Sequence, residues 1–275
     1  MKDKDVKKVV REGYAEIAKG KGTCCAPTNC NCGSPDKARE ISRGIGYSDD
    51  EMSAVPDGAN LGLGCGNPVA LAALKEGDTV LDLGAGAGFD AFLAAQQVGK
   101  KGKVIGVDMT HEMLEKARNN ASKGNYTNVE FRLGEIEHLP VADNAVDVII
   151  SNCVINLSPD KNQVFSEALR VLKPGGRLMV SDIVLTKELP EWLRESARAY
   201  IGCVSGALMK EAYLAAIEGA GFTDITVKDE SEYGLDFMAN DPSVNTMIQK
   251  SGATKDQLKE YEHSVVSLKV EATKP

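Results

Sequence analysis

The sequence predicts an α/β protein whose centre is a doubly wound, mostly parallel sheet. Short apolar runs alternate with amphipathic helical patterns from residue 80 to residue 227, and such alternation is typical of parallel crossover units. A turn with glycine at 84, 86 and 88 follows the first apolar run, and Asp108 ends the second. The chain has 275 residues, 43% of them hydrophobic, which suits one large domain with appendages.

Seven strands are expected, with helices between them. The strands cover residues 80–83, 103–108, 129–133, 146–151, 177–185, 223–227 and 264–270. The helices are expected over residues 89–98 and 110–123, around 164–172, and near 190–201, 210–220 and 254–262. Gly175-Gly176 indicates a turn before the fifth strand.

The N-terminal segment is predicted to be helical and rich in cysteine. Apolar spacing over residues 4–19 is that of an amphipathic helix, and Ser48 begins another. Asn67 followed by Pro68 predicts a helix through Ala73. The turn-rich stretch after the first helix holds four of the seven cysteines: Cys24, Cys25, Cys30 and Cys32.

These patterns divide the chain into three parts. Residues 1–58 form the N-terminal extension, and residues 59–230 form the main domain with its ligand site. Residues 231–275 form a short α+β tail that completes the sheet. The helices of the first part are too short to bury a core alone, so we expect them to close over the main domain.

Charge and hydropathy exclude several classes of partner. The net charge of −8 disfavours nucleic acids and anionic membranes, and no apolar run approaches the roughly 18–20 residues that span a bilayer. The charged N-terminus lacks the apolar region of a signal peptide, so a cytoplasmic protein is expected. Cysteines are largely reduced there, which favours ligand or redox roles over structural disulfides.

The glycine-rich turn indicates a ligand that the backbone approaches closely. Its pattern is Gly-x-Gly-x-Gly, which matches neither the dinucleotide fingerprint nor a P-loop, so no pyrophosphate or triphosphate site is indicated. Asp108 lies 24 residues after Gly84, where a carboxylate would hold a ribose diol.

Residues 80–89 resemble motif I of the class I S-adenosylmethionine methyltransferases, which have a Rossmann-like sheet. Residues 133–140, 142–150 and 172–176 resemble further segments of that family, and the likeness spans roughly residues 60–230. It implies S-adenosylmethionine as cofactor, with the methionine part at the glycine turn, the ribose at Asp108, and the adenine at Met109 and the edge segment. The implied cofactor residues are Asp82, Gly84, Ala85, Gly86, Gly88, Asp108, Met109, Glu135, Ile136 and Asn152.

Three distant cysteines are expected to converge beside the transferable methyl group. Cys65 precedes the first strand, Cys153 follows the fourth, and Cys203 follows the helix after the fifth. Converging thiolates select soft ions, and the Cys-x2-Cys pairs of most zinc sites are absent from the sequence. Trivalent arsenic suits three thiolates, and its lone pair is a soft nucleophile. Burial of each cysteine as a small apolar side chain is the alternative, and it is strongest for Cys153.

Around these cysteines the sequence resembles the arsenite methyltransferases, in residues 14–25, 60–68, 151–157 and 200–207. The resemblance implies that Cys153 and Cys203 bind arsenic, that Cys65 supplies a third thiol, and that Cys24 or Cys25 takes part in relay or redox chemistry. It implies arsenite and methylarsenite as substrates, carried as thiol conjugates, and thioredoxin or glutathione as reductant, in arsenic detoxification. Cys30 and Cys32 match nothing in the family pattern and are either an additional trap or simply loop.

Two other functions stay open at this point. Related folds methylate carbon in quinone precursors or sterols, which would leave the cysteine pattern unexplained. A thiol-rich protein that binds metalloids without catalysis would leave the cofactor turn unexplained.

Overall fold

The computed structural model of the chain describes residues 3–20, 35–189, 206–232, 261 and 263–275. The helices expected near 190–201 and 254–262, and the cysteines at 24, 25, 30, 32 and 203, lie outside the described residues.

The sheet has seven strands in the order β3-β2-β1-β4-β5-β7-β6. The strands are β1 Thr79–Leu83, β2 Lys103–Asp108, β3 Val129–Leu133, β4 Val146–Asn152, β5 Leu172–Leu185, β6 Thr223–Glu232 and β7 Val265–Thr273. The first five pair in parallel, whereas β7 runs antiparallel between β5 and β6. The predicted doubly wound, mostly parallel α/β sheet is therefore confirmed, and the last strand of the chain is inserted within it.

Eight α-helices are described, together with a 3-10 turn at Ile155–Leu157. They are α1 Asp3–Ala18, α2 Pro35–Gly44, α3 Asp49–Ala54, α4 Pro68–Leu71, α5 Phe89–Val98, α6 His111–Lys123, α7 Lys161–Val171 and α8 Lys210–Gly219. Ser48 begins α3 through a capping box with Glu51, and the Asn67 side chain accepts a hydrogen bond from the Ala70 N–H to cap α4. Both caps follow the local sequence signals.

Several elements differ from those expected. The helix α4 ends at Leu71, because Ala73 takes a positive φ of 43° that a helix cannot accommodate. Strand β5 begins at Leu172, before the predicted glycine turn. The turn lies within the strand, where the pairing register with β4 shifts between Val146 and Val148. The helix α2 was not predicted from the apolar spacing, although proline stands at its first position.

Buried apolar residues fill both faces of the sheet. On one face α7 and α8 pack against the strands, where the rings of Phe165 and Tyr213 meet edge to face. On the other face α5 and α6 do the same, and Phe92 contacts Phe131. Within the described residues, no helix combines the length and apolarity needed to cross a bilayer.

The helix α1 packs at the carboxyl ends of the parallel strands. Val6 and Val10 belong to the same buried cluster as Cys65, Cys153 and Leu157. The N-terminal helix thus covers the region where the predicted site lies, and the division of the chain at residues 58 and 230 stays a prediction.

Candidate functional site

A cleft opens at the carboxyl ends of β1, β2 and β4. Strand order reverses at β1, because β2 and β4 flank it while the chain continues outward on both sides. Ligands of open α/β sheets bind at such a switch point. The cleft is lined by the glycine turn, by the loop before α4, and by one face of α1.

The glycine turn presents bare backbone to this cleft. Gly84 and Gly88 have φ of 67° and 96°, and a Cβ at Gly84 would lie 2.4 Å from Val154 Cγ2. The Gly86 N–H donates to Asp108 Oδ2 at 2.9 Å, and the Ala85 N–H donates to a carbonyl of β2. The turn is therefore bonded to the end of β2, and larger residues are sterically excluded from it.

Asp108 lies at the cleft in an orientation set by backbone donors. Its Oδ1 accepts from the Thr110 N–H at 2.8 Å, while Oδ2 accepts from the Gly86 N–H. Burial raises the pKa of this carboxyl, and the Thr110 and Gly86 hydrogen bonds oppose that rise. The remaining lone pairs of the carboxylate can accept hydrogen bonds from the hydroxyl groups of a ligand.

One wall of the cleft contains buried polar atoms that have no hydrogen-bond partner among the described residues. Asp82 is 3% exposed, and its Oδ2 has no hydrogen-bond partner among the described residues. Burial raises the pKa of Asp82 well above its ordinary value, and the charges of Asp90 and Asp108 add to this. The buried Asn60 Nδ2 likewise lacks a partner within the described part of the chain, and Asn60 also lines the cleft. An acceptor and a donor in one cleft fit the ammonium and carboxylate of an amino acid.

Asp90 and Asn152 connect this wall to the loop that contains Cys65. Asn152 Nδ2 donates to Asp90 Oδ2 at 3.0 Å and to the Gly66 carbonyl at 2.8 Å, while Oδ1 accepts from the Cys65 N–H at 3.0 Å. Burial raises the pKa of Asp90 to about 6, and hydrogen bonds from Tyr47 and Asn152 limit the rise. Asn152 lines the cleft, where it is expected as a cofactor contact, and both ends of its amide bond protein groups.

The residues expected at the adenine divide into two groups. Met109 and Ile136 line the cleft. Glu135 is not among the lining residues, and its carboxylate accepts from Lys7 Nζ of α1 at 2.7 Å. The neighbouring Glu137 does line the cleft and lies 3.2 Å from the same ammonium. The α1 helix is therefore joined by ion pairs to the predicted adenine-edge segment.

Two of the three predicted arsenic-binding cysteines lie together. Cys65 and Cys153 are both buried, and one ligand atom from each lies within 4.8 Å of the other and of an oxygen of Asp182. The Ser181 carbonyl joins them, since it accepts from the Cys153 N–H at 2.8 Å and from Cys65 Sγ at 3.4 Å. Cys153 has a φ of 60°, a backbone strain that concentrates at functional sites. Cys203, Cys24 and Cys25 lie outside the described residues.

Asp182 was not identified from the sequence as a site residue. It is 1% exposed towards the carboxyl end of β5, between Ser181 and Ile183, and burial raises its pKa to about 7. The signal was available as an acid within the apolar run of residues 178–185, where a buried strand tolerates charge only for a reason. Asn60 and Asp90 were also missed, because their roles depend on neighbours that are distant in sequence.

Comparisons with known proteins show similarity to methyltransferases. A family profile described as "Methyltransferase domain" matches residues 74–221. An arsenite methyltransferase of Halobacterium salinarum is 50% identical over 235 residues, which cover 82% of this chain and 60% of that protein. The solved structure of an arsenic(III) S-adenosylmethionine methyltransferase from Chlamydomonas reinhardtii has a TM-score of 0.63 and 34% identity, covering 84% of this chain and 72% of that one.

A carbon methyltransferase is also similar over a shorter region. The ubiquinone/menaquinone biosynthesis C-methyltransferase of Francisella tularensis is 39% identical over 113 residues, which cover 41% of this chain. The present chain spans about 60% of the length of the Halobacterium protein.

Proposed function

Since this chain belongs to the arsenite S-adenosylmethionine methyltransferase family, we propose that it methylates trivalent arsenic bound by its cysteine thiolates, with arsenic detoxification as the biological role. One observation carries the proposal: two buried thiols from distant parts of the chain meet beside the cleft, and Cys153 lines it. Carbon methylation of a quinone or sterol would make no use of that pair.

The residues present fit the cofactor S-adenosylmethionine. The unpartnered oxygen of Asp82 suits its ammonium group, Asn60 Nδ2 suits its carboxylate, and Asp108 suits the ribose hydroxyls. Met109 and Ile136 supply apolar surface for the adenine ring. Bound there, the cofactor supplies an electrophilic methyl group on a sulfonium centre. The chain's own contribution is to hold the ligand and to exclude larger side chains at the glycine turn.

Cys65 and Cys153 would bind the arsenic. Arsenite or methylarsenite, delivered as a thiol conjugate, exchanges its ligands for protein thiolates and releases a thiol or water at each exchange. Soft thiolates suit this soft acceptor. The arsenic lone pair has no proton to lose, so the chemistry needs no general base, and positioning supplies much of the rate. By family resemblance Cys203 joins this pair.

Methyl transfer makes arsenic formally pentavalent, so a further cycle needs a two-electron reductant. Two thiols can supply both electrons as they form a disulfide. We propose that Cys65 with Cys24 or Cys25, or an external thioredoxin or glutathione, serves this role. A reducing compartment such as the cytoplasm would keep these thiols available.

The test separates the roles of the cysteines by the number of exchangeable ligand positions on arsenic. Inorganic arsenite has three exchangeable positions, whereas methylarsenite has two. Given each substrate with S-adenosylmethionine and excess thioredoxin, Cys65→Ser should lose most of the first methylation and keep the second. Cys153→Ser and Cys203→Ser should lose both.

Two outcomes would contradict the proposal. Undiminished methylation by Cys153→Ser would remove that residue from the site. Tight binding of arsenic by the wild-type chain, with no methylated product at any thiol concentration, would instead support a metalloid-binding protein without catalysis.

A further inference from the structure

A buried carboxylate stands directly behind the two thiols. An oxygen of Asp182 lies within 4.8 Å of a sulfur of Cys65 and of Cys153. Cys153 lines the cleft, whereas neither Cys65 nor Asp182 is among the lining residues. Seen from the cleft, the order is therefore Cys153 first, with Cys65 and Asp182 behind it.

Several groups around Asp182 favour its ionised form and oppose the burial that raises its pKa. Its Oδ1 accepts from the Ile183 N–H at 3.0 Å, its Oδ2 accepts from the Tyr213 hydroxyl at 3.2 Å, and the Asn156 N–H is a further donor. The positive charge of Lys161 also favours the ionised form. Donors on every side hold the group in one orientation, as they do for carboxylates that face a cation.

Methyl transfer to arsenic moves a positive charge towards this carboxylate. The arsenic lone pair becomes the new arsenic–carbon bond, and the sulfonium–methyl bond breaks with its electron pair kept by sulfur. The sulfonium becomes a neutral thioether, and neutral thiolate-bound arsenic becomes a cation. An atom bonded to both cysteine sulfurs lies within a few ångströms of Asp182, whereas the sulfonium lies on the cleft side.

We propose that Asp182 is the counter-charge for the cationic arsenic that forms during methyl transfer. This inference rests on the proposed function and adds a residue to it. A fixed negative charge that is nearer the product cation than the reactant cation stabilises the transition state more than the ground state. Removal of the charge should slow transfer by about 10- to 100-fold, the size expected for one charge at this range in a protein interior.

The first measurement is single-turnover methylation of bound arsenite by the full chain, because arsenite engages Cys65 as well as Cys153. Asp182→Asn should slow it by about 10- to 100-fold, while Asp182→Glu should recover part of the rate because it restores the charge. Tyr213→Phe is the matched control, because it removes one hydrogen bond and keeps the carboxylate. If Asp182→Asn fails to fold, Asp182→Ser carries the same test, since its hydroxyl can still accept from a backbone N–H.

The second measurement needs no cofactor. Cd²⁺ binds thiolates and stays cationic, whereas arsenite bound by three thiolates is neutral. In equilibrium dialysis, Asp182→Asn should weaken by about 10-fold the Cd²⁺ binding component that Cys153→Ser abolishes, and it should change arsenite affinity by less than about 2-fold.

Three results would overturn the inference. Asp182→Asn could match the wild-type transfer rate. It could weaken Cd²⁺ and arsenite binding equally, as a purely structural residue would. Asp182→Glu could be as slow as Asp182→Asn. If the wild-type chain methylates no arsenic at all, the proposed function fails instead, and the Cd²⁺ comparison still reports whether the carboxylate acts on a cation between the thiols.

Discussion

Replacement of Asn152 by alanine should remove the hydrogen bonds that connect the loop containing Cys65 with Asp90 at the cleft. Its amide bridges Asp90 on α5 and the loop at Cys65 and Gly66, and it also donates to the Tyr47 hydroxyl at 2.9 Å. No other side chain in the described part of the chain is shown to bond both the Cys65 N–H and Asp90. The substitution therefore removes the link between the two halves of the proposed site.

The expected loss of stability follows from the bonds that disappear. A hydrogen bond to a charged group such as Asp90 contributes about 1.5–3 kcal/mol, and a neutral one contributes about 1 kcal/mol. The Cys65 N–H and the Gly66 carbonyl lose neutral bonds, and water in the cleft can replace part of each. We expect Asn152→Ala to lower the free energy of unfolding by about 2–4 kcal/mol.

The assay combines urea unfolding with arsenic binding. Asn152→Ala should lose affinity for arsenite as well as stability, because Cys65 is no longer held beside Cys153. Asn162→Ala, an exposed asparagine on α7, is the matched control and should change neither quantity. A loss below about 0.5 kcal/mol with wild-type arsenite affinity would refute the assigned role of this amide.

Four further predictions follow from the same residues. Asp108→Ala should weaken S-adenosylmethionine binding by about 1.5–3 kcal/mol in calorimetry, and unchanged affinity would remove the ribose assignment. Because the pKa of Asp82 is raised, cofactor binding should release protons below that raised pKa and tighten as pH rises towards it. Calorimetry in buffers of different ionisation enthalpy should show no such release for Asp82→Asn. The pKa of Asp90 is raised to about 6, so its buried carboxyl is neutral in the folded state below about pH 4 and fully ionised only above pH 6. The unfolding free energy of wild type should therefore fall, relative to that of Asp90→Asn, by up to about 3 kcal/mol as the pH rises through this window. Parallel pH profiles for the two proteins would contradict this. Lys7→Ala removes the ion pair to Glu135 and should speed proteolysis between α1 and α2, whereas equal cleavage rates would show that the pair does not hold α1 closed.

Local signals were enough to predict that seven strands occur and where the first four lie in the sequence. Apolar runs and the glycine turn mark β1 to β4 closely, because parallel strands buried on both faces read as short continuous apolar segments. Local signals did not locate α2 or the true start of β5. Strand β5 contains Gly175, which has a φ of 74°. The early part of this strand pairs with β4, and that pairing cannot be read from the residues of β5 alone.

By itself the sequence determined the fold class, the position of the cleft and the types of side chain that reach it. The carboxyl ends of parallel strands share one edge, so the placement of Asp82, Asp108 and Cys153 there follows from chain order and strand direction. Only the tertiary structure decided that Cys65 and Asp182, 117 positions apart in the chain, stand beside Cys153, and that Asn152 bonds protein groups at both ends of its amide. The physical reason is that distance between side chains depends on strand order and on how loops fold back over the sheet, and both are set by packing of the whole chain.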